Sequence, residues 1–561
     1  MNQKPILLAF LLSLILSLNL SAQTPIALVS GIQIDSVLVT KSNVTRLSRD
    51  PISGNLYYST GNGDIYEVRT PVGQAAYDTL VFTFGDHAVE QPQGMCFLDS
   101  ALFISGNTGV AQPGKTSGVL MRGDLQANGT RDWTFVAGTD LHPKGTHPFT
   151  SVITDPAGEH LYWASGARTL FGEVADENGL FPGYREGPIN SKIYRFPIDT
   201  TGVVLPNDSA LLDSSGFVYV KGVRNAYSMA FDGQDQLFSI DNSGERDDPE
   251  ELNWIQEGHN YGFPWRMGGN WNPLMHPSYD VNNDPMVNQA SGGYQLGLFA
   301  ADPNFPAPPP SLVFDEPAYN YGPDADKYRD SLTGQVRDAS DDGILLQSFT
   351  SHRSPLGLII DRDSLLGGGF RGKAYVLSYM PGGDSTGMSP ISPWGGPGPF
   401  VDPCQDMLRM QLGYDSGYDN YTFTCDRIIE GFYLPVDAVQ FENYVYVLEQ
   451  RGGGRSNLWK VTFPTHSVGT NPSSASPAQF LQLHPNPTQR QTTLSMQLNA
   501  ATPLNISIFD VQGRLVRDFG NQKVGKGRYE FPLDLEGLAS GIFLVRVQMG
   551  NASEALRLVV E

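Results

Sequence analysis

One arrangement recurs six times between Thr45 and Val461: a short apolar strand, a polar turn carrying Asp, Pro or Gly, and a second strand rich in Tyr, Leu and Val. The copies begin with Thr45-Arg46-Leu47 and Asn55-Leu56-Tyr57-Tyr58, then Gly94-Met95-Cys96-Phe97 and Ala101-Leu102-Phe103-Ile104. They continue with Ser151-Val152-Ile153-Thr154 and His160-Leu161-Tyr162-Trp163, then Ser228-Met229-Ala230-Phe231 and Gln236-Leu237-Phe238-Ser239. Leu356-Gly357-Leu358-Ile359 with Lys373-Ala374-Tyr375-Val376, and Ala438-Val439-Gln440-Phe441 with Tyr444-Val445-Tyr446-Val447, complete the series. Most copies are followed by a further strand, as at residues 191–196 and 457–461. Strands and tight turns in alternation, with no amphipathic helix between them, predict a radially repeated all-β fold. One such sheet cannot bury both of its faces, so its neighbours must complete the core. The expectation is a six-bladed β-propeller over residues 27–464. A large β-sandwich is the competing architecture, but it would not repeat one two-strand unit six times.

Two stretches interrupt the rhythm. Residues 262–350 are rich in Asn, Pro, Tyr and Gly, and residues 381–404 carry Ser392-Pro393-Trp394-Gly395-Gly396-Pro397. Long irregular segments in a compact domain are functional, disordered, or packed over a site. Their position after the fourth and fifth copies predicts that they wall one end of the ring. From 465 to 480 the chain turns to Ser, Pro, Ala and Thr, which is linker composition. Residues 481–561 then show period-two alternation over short strands, predicting a small C-terminal β-sandwich.

At the N-terminus, Lys4 precedes an apolar run from Ile6 to Leu18 that ends in Leu20-Ser21-Ala22, the layout of a cleavable secretory signal over residues 1–22. No later segment is apolar for long enough to span a bilayer, so no membrane span is expected after signal removal. The net charge of −22 argues against nucleic acid and anionic membranes as partners. Only three cysteines occur. Cys404 and Cys425 bracket one loop and could pair, which export permits, whereas Cys96 sits in a strand-like run and reads as a free thiol. Neither metal-ligand nor redox spacing is present among them, so packed sheet must supply the stability.

Two resemblances follow from the residues. Leu483-His484-Pro485-Asn486-Pro487, the run Ile508-Phe509-Asp510 leading to Gly513-Arg514-Leu515-Val516, and Leu538-Ala539-Ser540-Gly541-Ile542-Phe543-Leu544-Val545 resemble the type A sorting domain of type IX secretion substrates. That resemblance implies passage through the periplasm and outer membrane by the type IX secretion machinery, to the cell surface or the medium. The fourth copy, with Gly222-Val223-Arg224-Asn225-Ala226-Tyr227, Ile240-Asp241-Asn242-Ser243-Gly244-Glu245, Glu251-Leu252-Asn253 and Gly258-His259-Asn260-Tyr261-Gly262, resembles the soluble glucose/sorbosone dehydrogenase family.

The family resemblance implies a propeller that binds pyrroloquinoline quinone and calcium and oxidises a sugar or aldehyde by hydride transfer. It implies His147 as the base that takes the hydroxyl proton, Arg224 and Asn225 on the cofactor, and Glu251 with the carbonyl of Tyr261 on calcium, a cation that prefers oxygen ligands. The chain departs from the pattern. It has Gly166-Ala167 where the family places an Asp beside its base, Ser243-Gly244 in place of a Gly-Pro turn, Met380 near a cofactor Lys, and Leu434 and Val436 at two Arg positions. Arg353, Arg371 and Arg451 are the other cations within reach in sequence. The Asp runs at 280–284, 324–326 and 338–342 read as solvated loop charges, and the aromatic loop from Trp265 to Trp271 either stacks a sugar or plugs an irregular loop. A non-catalytic propeller binding surface glycan or protein is the alternative function, distinguished by the missing cofactor charges.

Overall fold

The computed structural model of the chain describes residues 24–71, 73–109, 113–380, 382–383, 400, 402–450, 456–464, 478–498, 501–510, 514–549 and 552–561. The expected signal segment, most of the linker, the Trp394 loop and Arg451 lie outside the described residues. The chain divides into two compact units, one ending at Thr465 and the other beginning at His466. Among the described residues no helix is longer than the six-residue Ser209–Ser214, and none is long and apolar enough to cross a membrane.

The first unit is a ring of sheets that are antiparallel except where Val203–Leu205 and Tyr319–Pro323 join as parallel strands. Each sheet begins with an inner strand: β1 (Val44–Arg49), β2 (Gln91–Leu98), β3 (Phe149–Thr154), β4 (Ala226–Phe231), β5 (Pro355–Ile360) and β6 (Pro435–Phe441). Each inner strand pairs with the second strand of its own sheet, and the sheet continues outward. Across the sheets, β1 lies against β2, β2 against β3, and so on until β6 meets β1 again, which closes the cycle. This is the architecture of a β-propeller. The last sheet is completed by a strand from the other end of the unit: Gln33–Thr40 pairs with Ser456–Thr462 outside Tyr444–Glu449 and β6. Without such a partner, Ser456–Thr462 would present an open edge.

The core explains why both alternating positions of these strands are apolar. A side chain at i faces one neighbouring sheet and that at i+1 faces the other. Leu102 and Ile104 pack with Tyr57 and Ile65 of the first sheet, while Phe103 between them packs with Phe149 and Trp163 of the third. The same division continues around the ring. Met229 and Leu237 meet Tyr162 and Ile193, Phe238 and Ile240 meet Leu358 and Val376, Tyr375 and Leu377 meet Val447 and Trp459, and Val436 and Leu448 meet Val44 and Tyr58.

All six inner strands share one irregularity. Within their first residues each slips by one position against its partner strand, leaving Thr45, Gln93, the Thr150–Ser151 pair, Tyr227, Leu356 and Val436 without a matched partner. A bulge of this kind re-aims a side chain.

Within residues 262–350, Leu274, Val287 and Phe299 form a small core of their own against Phe171, while Tyr319–Pro323 and Leu346–Gln347 extend the fifth sheet. Ion pairs from Arg246 to Asp284 and from Arg329 to Asp247 tie this stretch to the fourth sheet. The Asp runs divide: Asp280, Asp341 and Asp342 are exposed, as expected of solvated loop charges, whereas Asp284 pairs with Arg246 and Asp324 accepts the Arg427 amide. The Cys404–Cys425 pairing that export would permit is not formed, and all three cysteines are free thiols. Cys425 is instead a strand residue opposite Met410, buried in sheet packing.

The second unit is a β-sandwich. A three-stranded sheet (Ala478–His484, Gln491–Leu498, Gly527–Asp534) faces a four-stranded one (Leu515–Val524, Thr502–Phe509, Gly541–Met549, Ala552–Val560). Leu494, Met496, Ile506, Ile508, Val545 and Val547 fill the space between them. Its first strand starts at Ala478, within the stretch read from composition as linker.

Candidate functional site

The inner-strand bulges converge on one cavity of 430 Å³ on the axis of the ring. Thr45, Gln93, Thr150, Tyr227, Leu356 and Val436, one from each sheet, all line it. Around them stand residues just before the inner strands (Asn43, His147, Pro148, Asn225, Ser354), the first residue of β2 (Gln91), and residues just beyond the second strands (Gly61, Asn242, Tyr379, Met380, Gln450). The volume falls in the range of small-ligand sites, roughly 300–1,000 Å³. Below it, Arg46 is buried with its guanidinium 3.6 Å from the centroid of the Tyr227 ring, and it donates to the carbonyls of Gln93 and Tyr227 across the channel. Asp437, 3.8 Å from Arg46, compensates its charge.

His147 is on the wall. Its amide donates to the Ala167 carbonyl, whose residue's own amide donates to the Arg224 carbonyl, so backbone links all three positions. Gly166 makes this approach feasible: a Cβ there would lie 2.5 Å from His147 Cβ. The position the family resemblance assigns to a carboxylate therefore has no room for one. The ring Nε2 is buried and has no hydrogen-bond partner among the described residues. Burial, reinforced by the nearby Arg224 charge, holds the imidazole well below its usual pKa, so it is neutral.

Arg224 and Asn225 point to different places. Asn225 lines the cavity, whereas Arg224 is turned away from it. The Arg224 Nε donates to the Leu170 carbonyl at 3.1 Å, and its Nη1 donates to the carbonyl and side-chain Oδ1 of Asn242 at 2.7 and 3.1 Å. The space its side chain adjoins, beside Phe171, Phe263 and Trp271, measures 20 Å³, room for about one water. Asp241 accepts the backbone amides of both Arg224 and Asn225, fixing the turn. Asn225 Nδ2 donates to Asn242 Oδ1 at 3.1 Å, and Asn225 Oδ1 is left buried without a partner. Thr150 Oγ1 is a third unpartnered buried polar atom on the wall.

Glu251 and Tyr261 stand off the axis, and neither lines the cavity. Glu251 faces Asp241 across the fourth sheet, and its two oxygens accept from Asn253 Nδ2 at 2.9 Å and the Gly268 amide at 2.7 Å. Burial, together with Asp241, pushes Glu251 up to about 8, and burial takes Asp241 to about 6. The Tyr261 side chain is buried and donates to the Trp254 carbonyl. Asn253 Oδ1 and Glu316 Oε2 are buried and unpartnered nearby in the same electrostatic cluster. This donor set is all oxygen, which suits calcium, although no three His, Cys, Asp or Glu side chains converge into a ligand group among the described residues.

A quinone cofactor with three carboxylates fits the described wall poorly. Among the described residues that line the cavity there is no Lys or Arg. Arg353 is buried between Asp402 and Asp406 and spent on them. Arg371 lies in the turn between β5 and Ala374–Ser378, at the opposite end of those strands from Ser354 and Met380. Met380 and Val436 do line the cavity, as neutral groups where the family resemblance implies cations. Asn43, Thr45, Gln91, Gln93, Asn242, Tyr379 and Gln450 escaped sequence reasoning. Their common mark is their place at the entry of an inner strand or the exit of its partner.

A propeller whose bulged inner strands line a polar axial cavity, followed by a separate sandwich, defines the class of protein. Residues 482–561 match the secretion system C-terminal sorting domain, and residues 99–293 match the glucose/sorbosone dehydrogenase family model. The sorting domain indicates export by type IX secretion, to the cell surface or into the medium. Among solved structures, the chain is similar to the pyranose dehydrogenase PQQ domain of Coprinopsis cinerea in its holo form, at 12% identity and a TM-score of 0.47 over 79% of this chain and 98% of that one. It is also similar to the soluble aldose sugar dehydrogenase of Escherichia coli, at 14% identity and a TM-score of 0.44 over 77% and 99%. No curated protein matches in sequence.

Proposed function

We propose that this is a secreted, dehydrogenase-like propeller that holds a neutral sugar in its axial cavity. The observation that carries the reading is the wall: amides, hydroxyls, a neutral imidazole and tyrosine rings. Donors and acceptors set around a cavity of ligand size match the hydroxyls of a sugar, each of which both donates and accepts. The absence of cations from the described wall favours binding without catalysis, to a surface glycan or free sugar.

The oxidising reading, in which a sugar or aldehyde loses hydride to pyrroloquinoline quinone with calcium assistance, has one observation in its favour. His147 is neutral, buried and unengaged at Nε2, the state a base needs to accept a hydroxyl proton. Its cofactor would need cations that the described wall does not offer, so Arg224 is removed from the cofactor role and Asn225 kept as a contact to the ligand. Calcium is proposed separately at Glu251 and the Tyr261 carbonyl, where it would offset the buried pair of Glu251 and Asp241 and serve the fold.

The test is direct. The full chain is titrated with aldoses by calorimetry, and in parallel with calcium and pyrroloquinoline quinone while cofactor absorbance and dye reduction are followed. Sugar binding without cofactor uptake supports the binding reading. Cofactor uptake at concentrations on the order of micromolar, with dye reduction lost in His147→Ala, would replace it by the oxidising one.

A further inference from the structure

Where the axial cavity ends is decided by one side chain. The residues that follow the six bulges, Arg46, Gly94, Val152, Ser228, Gly357 and Asp437, are back in register with their partner strands, and none of them lines the cavity. Five of these stay at the wall. Two are glycines, Val152 is packed in the core with Trp163, and Ser228 and Asp437 accept the amides of Leu358 and Leu47 in the adjacent sheets. Arg46 alone crosses the axis. β1 and β4 are opposite members of the ring, yet the Arg46 guanidinium lies 3.6 Å from the centroid of the Tyr227 ring and its Nη2 donates to the Tyr227 carbonyl. Tyr227 returns the contact, its hydroxyl donating to the Thr45 carbonyl at 3.0 Å. The Arg46 Nε reaches the Gln93 carbonyl of β2, and Asp437 of β6 stands 3.8 Å from Nη1. Guanidinium and phenol thus span the channel at the level where the cavity stops, and both residues are buried.

We infer that Arg46, stacked with Tyr227, is the floor of the axial site and its specificity-determining residue: it bars the rest of the channel, so the site takes a sugar residue with a free end and excludes an internal residue of a chain threaded along the axis. The inference rests on the sugar-binding reading above. A channel open from end to end would let substituents leave a bound sugar on both sides. One closed at this level leaves room for a substituent only toward the face on which the inner strands begin. The floor is held in place by its partners. A planar guanidinium with contacts on three other sheets has little freedom to swing aside, and moving it would leave Asp437 buried without its counter-charge.

The experiment measures binding of glucose, galactose and mannose to the full-length protein by calorimetry. For each sugar that binds, its 1-O-methyl, 4-O-methyl and 1,4-di-O-methyl derivatives follow, the last mimicking a residue inside a chain. The wild type is expected to bind the doubly substituted sugar at least about tenfold more weakly than the better of the two singly substituted ones. Arg46→Ala, paired with Asp437→Asn so that no buried charge is left uncompensated, opens the floor and should bring that ratio to within about threefold. Arg46→Met with the same Asp437→Asn loses the same charge but keeps bulk on the axis, and should retain the wild-type ratio. If neither paired variant folds, as judged by its thermal transition, the wild-type ratio decides the matter. A wild type that binds the doubly substituted sugar as tightly as the better singly substituted one would overturn the inference. So would a folded Arg46→Ala pair with the wild-type ratio, or a folded Arg46→Met pair that has lost it, and each would leave the sugar-binding reading standing. No binding of any of the three parent sugars would remove both.

Discussion

His147 and Gly166 form a unit in which the glycine creates the space and the histidine uses it. Gly166→Ala would put a methyl 2.5 Å from His147 Cβ and 2.9 Å from its carbonyl oxygen. The expected cost is about 1–3 kcal/mol, the usual penalty of overpacking, together with loss of sugar binding, read by thermal denaturation and calorimetry on one sample. The neutral state of His147 carries a pH signature. The folded ring is held well below the value near 6.5 of an unfolded chain. As pH falls below about 6.5, the unfolded state therefore binds more protons than the native one, and stability declines until the native pKa is reached. His147→Gln should remove that increment, so the difference in melting temperature between variant and wild type should shift in the variant's favour from pH 7 to pH 5. A constant difference would show that the imidazole is not held neutral.

At the scale of the element, the six bulges are what convert a ring of sheets into a site. Regular alternation would have sent every second side chain into the adjacent sheet; one slipped residue per inner strand instead supplies a ring of side chains to the axis. The bulges rest on close packing beside them. Gly94 follows the β2 bulge, and a Cβ there would meet Ser105 Oγ and the Thr150 carbonyl at 2.2 Å. Gly94→Ala should then destabilise the protein by about 1–3 kcal/mol and weaken sugar binding by displacing Thr150, whereas Gly413→Ala, which meets nothing within 4 Å, should alter neither. The fourth sheet carries its own prediction. Millimolar calcium should stabilise the wild type by RT ln(1 + [L]/Kd), about 2.7 kcal/mol at a hundredfold excess over Kd, and so raise its melting temperature, and should not raise that of Glu251→Gln. Equal responses would remove calcium from that position.

The molecule as a whole is two structures with separate cores. The sandwich buries Leu494, Met496, Ile506 and Val545 among its own strands, and the propeller is closed by its own Gln33–Thr40 strand. Calorimetry on the full chain should therefore resolve two transitions, and residues 24–464 alone should keep the higher-enthalpy one and the sugar affinity. A single merged transition that disappears on truncation would show the units to be interdependent. Deleting residues 33–40 should abolish the propeller transition, because it exposes the edge of Ser456–Thr462 and opens the ring.

The repeat and the sorting sandwich were legible in the chain because strand alternation and turn chemistry are local, and the strands read from the repeat lie close to those of the structure, whereas the sandwich strands Ala478–His484 and Gly527–Asp534 were not read. His147 and Asn225 were legible as site residues because they sit in turns that open inner strands. Arg224 was not legible as a brace, because its partners Leu170 and Asn242 are 54 and 18 positions away, and a guanidinium in a turn looks the same in sequence whichever way it points. The amides of Gln91, Gln93 and Gln450 were equally silent: nothing in a sequence marks which residue of a strand will slip. Alternation along the chain thus determined that there would be sheets and roughly where each begins. Only packing of six sheets around one axis decided which side chains meet there, and that the meeting place is polar and, among its described residues, carries no cation.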